Sequence, residues 1–296
     1  MRSKQGHMLA AALSLAAVFG TAAWAPASGA EQPTIELGYV QSWPSSSITT
    51  KLAADVLEND LHVPVKLVAL SAGPMYQGVK SGDLDAMLTA WLPVTHKAYY
   101  EKVWPDVLNL GPNLRGTKLG LVVPSYVKDV DSIADLKKHA DEFDGKIMGV
   151  GAGAGINEDT LKAIKQYGLD MQLVKSSTAG MAASLERAVN KHEPIVITGW
   201  SPLWIWGKFD LKYLNDPKNV YGKAGYVATL TSRELPDKAP TVYQFLDDFR
   251  LSLSQLNEIE ALAKSGQDEA HAVHEWAQNH PKVVSHWISA ATSASG

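Results

Sequence analysis

From residue 34 onward the chain alternates between two hydrophobic periods. Ile35–Val40 alternates apolar and polar positions as a half-buried strand does, and Ile48–Leu57 then takes helical spacing. Val63–Leu70 returns to a strand pattern, and Pro74–Lys80 reads as a helix with proline in its first turn. Leu84–Leu88 predicts another short strand, with the segment Trp91–His96 immediately after its end. Gly111 and Pro112 punctuate the chain before Lys118–Pro124, a further strand.

A second series follows. Ser132 and Asp135 have the spacing of a capping box, and Lys146–Val150 reads as a strand. Ile156–Tyr167 predicts a helix, Gln172–Lys175 a strand, Ala179–Lys191 a helix and Ile195–Thr198 a strand, with Gly199 and Trp200 at its carboxyl end. After a strand over Tyr226–Thr231 the pattern is helical to the end: Thr241–Phe249, Leu253–Ala263, Gln267–Asn279 and Val283–Ala291. These last helices are expected to pack back on the first series. Short strands alternating with helices predict α/β layers. Two such series, each with a tryptophan element just past a strand, suggest two similar lobes facing each other. Open α/β sheets bind ligands outside the carboxyl ends of their strands.

The first thirty residues do not fit this frame. Arg2 and Lys4 precede an apolar run from Met8 to Ala23, and Ser28, Gly29 and Ala30 supply the small residues of a cleavage site. Residues 1–30 therefore read as a cleaved signal peptide, with Ala23 to Ala25 a second cleavage candidate weakened by Pro26. The chain has no cysteine, hence no disulfide and no residue on which to build a lipid anchor. That favours a protein retained in the periplasm. Removing residues 1–30 takes away Arg2 and Lys4 and no acid, so the formal charge moves from −4 to −6. A mildly acidic chain offers nothing electrostatic to nucleic acid or to an anionic membrane.

Two features of composition bear on chemistry. The first is tryptophan, nine in all, of which only Trp24 falls in the leader. A quaternary ammonium cannot donate a hydrogen bond, so a protein holds it with the faces of aromatic rings, tryptophan best. Trp43, Trp91 and Trp200 all follow strand patterns. Trp200, Trp204 and Trp206 crowd into seven residues, of which one or two should face a ligand, whereas Trp276 and Trp287 lie on terminal helices and are expected to be packing.

The second feature is the run Gly149, Gly151, Gly153 and Gly155, which follows a strand and opens a helix. This spacing fits neither a dinucleotide fingerprint nor a P-loop. It leaves a general anion nest of backbone N–H groups suited to a carboxylate. His96, beside Trp91, could be a further carboxylate donor. His271 and His274 do not make a zinc-protease motif with Glu275, and no nucleophile elbow or metal-ligand cluster appears. No metal, cofactor or catalytic residue is expected, and nothing demands more than a monomer.

Several blocks together resemble the OpuAC/ProX-type glycine-betaine-binding proteins of osmoprotectant ABC transporters, over roughly residues 34 to 250. They are Leu37–Val40, Ser81–Asp85, Ala90–Pro93 with Thr95 and His96, Leu119–Pro124, Gly153–Ile156, Glu193–Val196, Thr198–Pro202 and Leu211–Leu214 with Asp216 and Pro217. The resemblance implies an α/β, two-lobe, type II-like periplasmic binding protein that closes like a flytrap. Lys118–Pro124 and Val227–Thr231 would be its two hinge-crossing strands. It implies a first lobe of residues 33–120 plus 230–296 and a second of 121–229. It implies that Trp91, Trp200 and Trp43 enclose a trimethylammonium group, and that the Gly155 and Ile156 amides with His96 hold the carboxylate. The chain departs from the family pattern where Trp43 is followed by Pro44, Ser45 and Ser46 without an acid, and where Leu203 follows Pro202 in place of histidine.

The function expected is capture of glycine betaine, or a related quaternary ammonium solute, for an ABC permease and ATPase in the inner membrane. Choline would leave the glycine nest and His96 idle; carnitine keeps the carboxylate but is longer. A periplasmic enzyme or a sensor module acting on such a ligand is the rival from another class.

Overall fold

The computed structural model describes residues 32–264 and 268–293. The expected signal peptide, residues 1–30, lies outside them. Strand β1 (Ile35–Tyr39) leads into α1 (Pro44–Asn59), β2 (Val65–Ala69), α2 (Ala72–Ser81) and β3 (Ala86–Leu92). A seven-residue helix, α3 (Lys97–Val103), precedes the 18-residue strand β4 (Val107–Pro124). Next come α4 (Leu136–His139), β5 (Lys146–Met148), α5 (Gly155–Tyr167), β6 (Gln172–Val174), α6 (Thr178–Lys191) and β7 (Ile197–Ser201). Then α7 (Ile205–Lys208) and β8 (Leu211–Tyr213) lead to β9 (Gly225–Ser232). Helices α8 (Leu235–Lys238), α9 (Pro240–Asp248), α10 (Leu253–Lys264), α11 (Glu269–Asn279) and α12 (Pro281–Ser293) follow.

The strands lie in the order β2-β1-β3-β9-β4-β7-β5-β6, with β8 also paired to β4. Strand β4 joins the two halves. Its residues up to Thr117 pair with β9, and from Lys118 onward it pairs with β7 and then β8. In the first half β1 runs parallel to β2 and β3, while β9 is antiparallel to both β3 and β4. In the second half β5 is parallel to β6 and β7. Strand β3 is buried along its whole length, as a central strand covered on both faces must be.

The C-terminal helices bury their apolar stripes near the first half of the sheet: α10 and α11 pack on α1, and α12 on α9. Trp276 and Trp287 are fully buried there with ring centroids 6.5 Å apart, and the Trp276 indole N–H donates to Glu258 at 3.0 Å. A buried indole needs such a partner.

Four local expectations change. Trp91 is the penultimate residue of β3 and Trp200 the penultimate residue of β7, not residues beyond strand ends. Pairing with β9 and β4 carries those strands further than their own hydrophobic runs do. Strand β4 passes through Gly111 and Pro112, and register shifts on either side of Pro112 absorb the missing N–H. Ser132 and Asp135 close a turn: the Asp135 carboxylate accepts from the Ser132 N–H at 2.8 Å, but the helix begins only at Leu136. Lastly, α3 and β8 are elements that the hydrophobic pattern did not announce.

Candidate functional site

Three helix N-termini and two strand ends converge on one cavity with about 380 Å³ of empty space, part of it open to solvent. Its wall contains Trp43, Trp91, His96, Gly155, Ile156 and Trp200, all six residues singled out in the sequence. Ser45, Thr95, Leu119, Val150 and Ala154 complete it. No ionisable carboxylate lines this space.

The tryptophans reach the cavity from different elements. Trp91 is brought in by β3, whose end faces Tyr226 and Val227 of β9. Trp200 sits on β7 opposite Leu119 of β4. Each is only 7% exposed, so a cation between such rings would lose nearly all competing water. Trp43 is half-buried at the N-cap of α1, where Pro44 starts the helix without needing an N–H partner. Its ring lies 5.6 Å from that of His96. Trp206 does not line the cavity. Its indole N–H donates to the Trp200 carbonyl at 2.7 Å, and its ring stacks on Tyr213 at 4.5 Å, so it braces β7. Trp204 packs near Phe209, and Trp104 is 54% exposed on the surface.

The start of α5 forms another part of the wall. Its N-cap, Ala154, offers no side-chain hydrogen bond, and Gly155 and Ile156 are the first two helical residues. First-turn N–H groups have no intrahelical partner, and the helix dipole adds partial positive charge there. Asn157 shapes the loop that precedes them. Its carboxamide accepts from the Val150 N–H at 3.2 Å and donates to the Val150 and Gly151 carbonyls at 2.9 and 3.0 Å. A Cβ on Gly149 would lie 2.7 Å from the Asn157 oxygen, so that glycine is required by space.

His96 is 2% exposed. Its Nδ1 accepts from the Trp91 backbone N–H at 3.2 Å and meets the Tyr76 hydroxyl at 3.2 Å. A backbone N–H can only donate, so the proton of the neutral ring sits on Nε2. Burial pushes its pKa down to about 3, against a weaker upward pull from a hydrogen bond with the Thr89 backbone. The ring is thus neutral at neutral pH, with its single N–H on Nε2. The sign of the stability effect follows. Between pH 6.5 and about 3 the unfolded chain takes up a proton that the folded chain refuses, so this contribution is complete above 6.5 and declines as pH falls through that window. Urea unfolding at pH 7 and pH 4.5 is expected to show a smaller loss of stability for His96→Gln than for the wild type.

Sequence reasoning missed Asn157, Thr95, Ser45 and Leu119. Thr95 has one visible signal, its place beside His96. Among the described residues no group of His, Asp or Glu could hold a metal ion, and no helix is long and apolar enough to cross a membrane.

Comparison with known proteins decides the family. A model described as the substrate binding domain of ABC-type glycine betaine transport systems matches residues 33–279. The chain belongs to this family. It is 40% identical over 166 residues to the glycine betaine/carnitine transport binding protein GbuC of Listeria monocytogenes, a stretch covering 55% of each chain. Among solved structures it resembles lactococcal OpuAC in its closed form complexed with glycine betaine, with a TM-score of 0.82, 35% identity, and coverage of 87% of this chain and all of that one. It also resembles an ABC-transporter choline binding protein complexed with choline, with a TM-score of 0.80, 29% identity and coverage of 86% of this chain and 91% of that one. The mixed α/β architecture with its curled sheet is the two-lobe fold of these substrate-binding proteins.

Proposed function

We propose that the chain captures glycine betaine, or a close carboxylated relative, between two lobes and presents it to an ABC permease and its ATPase. The observation that carries this reading is one cavity lined both by three tryptophans and by the uncapped start of a helix. Trp91 and Trp200, with Trp43 at the rim, enclose the trimethylammonium group. The Gly155 and Ile156 amides and the neutral His96 ring take the carboxylate. The wall carries no formal charge, which suits a ligand that is itself net neutral.

The lobes are residues 33–120 plus 230–296 and residues 121–229, and support comes from β4, which changes sheet partners between Thr117 and Lys118. Ligand contacts from both lobes favour the closed state, and the ligand leaves chemically unchanged. The protein acts in the periplasm as a monomer after loss of residues 1–30. Choline is the competing ligand, and the likeness to a choline binding protein keeps it in view. Calorimetric titration tests the reading: glycine betaine should bind at least tenfold more tightly than choline, because choline leaves the amide end of the cavity unpaired.

A further inference from the structure

The segment Val94–Tyr99 is gripped by glycines of the opposite lobe. Gly155 lies so close to Thr95 that an added Cβ would be 2.1 Å from the Thr95 carbonyl oxygen. Gly222, at φ +75°, lies so close to Val94 that a Cβ would be 2.6 Å from its methyl. Beyond the cavity rim the Tyr99 hydroxyl donates to the Gly153 carbonyl at 2.9 Å, and Gly153 turns away at φ +85°. Neither Tyr99 nor Gly153 lines the cavity.

Tyr99 is also tied inward. Its ring stacks on Tyr76 at 5.5 Å and meets His96 edge-on at 5.8 Å, while Tyr76 bonds His96. A single side chain thus joins the wall of the cavity to the glycine loop across the cleft. Burial and nearby Glu158 raise its pKa, which keeps the hydroxyl a donor.

We propose that Tyr99 is a latch: by donating to Gly153 across the cleft it holds the lobes closed and slows ligand release without touching the ligand. This rests on the lobe boundaries and the betaine reading given above. A contact made only in the closed state changes dissociation and leaves encounter with the open state alone.

The test is Tyr99→Phe, which keeps the ring stack and removes only the hydroxyl. Stopped-flow tryptophan fluorescence with glycine betaine should show koff raised roughly three- to tenfold, the scale of one net hydrogen bond, and kon no lower than that of the wild type. Solution X-ray scattering without ligand should give a larger radius of gyration for the variant than for the wild type. Wild-type koff in the variant, or a lowered melting temperature with unchanged koff, would overturn the latch and leave Tyr99 a packing residue. If the wild type binds no betaine, the ligand reading fails separately. The latch then stands or falls on scattering, and equal radii of gyration would overturn it.

Discussion

Gly155→Ala is expected to weaken ligand capture ten- to a hundredfold while leaving the melting temperature of the unliganded protein nearly unchanged. The backbone at Gly155 is ordinary helix, so alanine is not strained by conformation there. What forbids it is space. The new Cβ would meet the Thr95 carbonyl oxygen at 2.1 Å, its Cγ2 at 2.7 Å and its carbonyl carbon at 2.9 Å, all closer than real Cβ atoms come. Two of those three atoms are backbone, so no rotamer change relieves the clash. Either α5 or the loop after β3 must retreat by about 1 Å, and overpacking of this kind costs about 1–3 kcal/mol. At 1.4 kcal/mol per decade that is the expected loss of affinity. The clash exists only when the lobes meet, so the cost falls on closure. Calorimetry and thermal melts on one sample check both halves, and wild-type affinity would show that the lobes do not close on this contact.

Trp91→Ala and Trp200→Ala should each cost tenfold or more in betaine affinity. A desolvated cation over an indole face is worth about 2 kcal/mol, and both rings are almost wholly removed from water. Trp43, half-buried at the rim, should cost less. Truncating a buried tryptophan also leaves a void that can destabilise by about 3–5 kcal/mol. The diagnostic comparison is therefore with Trp91→Phe and Trp200→Phe, which keep a smaller π face and should recover part of the affinity. Titration calorimetry, with melts as the control for folding, measures both sets. Equal affinities for the phenylalanine and alanine variants would mean that the rings act by bulk and not by their faces.

Much of this site was legible in the chain, for identifiable reasons. Helices such as α1, α5 and α6 carry their own apolar stripe, so local spacing reveals them. The glycine run announces a nest of backbone N–H groups because it follows a strand and opens a helix. The ends of β3 and β7 were not legible, because what extends them through Trp91 and Trp200 is pairing with β9 and β4, far away in sequence. Gly111 and Pro112 read as a break for the same reason, since their tolerance comes from the bulged pairing with β9. Asn157 could not be singled out by pattern. An asparagine in the first turn of a helix is ordinary until the loop from Val150 to Gly151 is folded onto its carboxamide. Gly155 was noted as an amide donor, but the steric demand from Thr95 becomes visible only once the lobes are together.

The measurement that bears most directly on the central claim is calorimetric titration of the protein with glycine betaine beside choline, carnitine and proline betaine. Micromolar glycine betaine binding, with choline at least tenfold weaker, is the predicted result, because only a zwitterion engages both the tryptophan faces and the start of α5. Choline binding as tightly as glycine betaine would contradict the role given to Gly155, Ile156 and His96, and no heat from any of the four would contradict the ligand class itself.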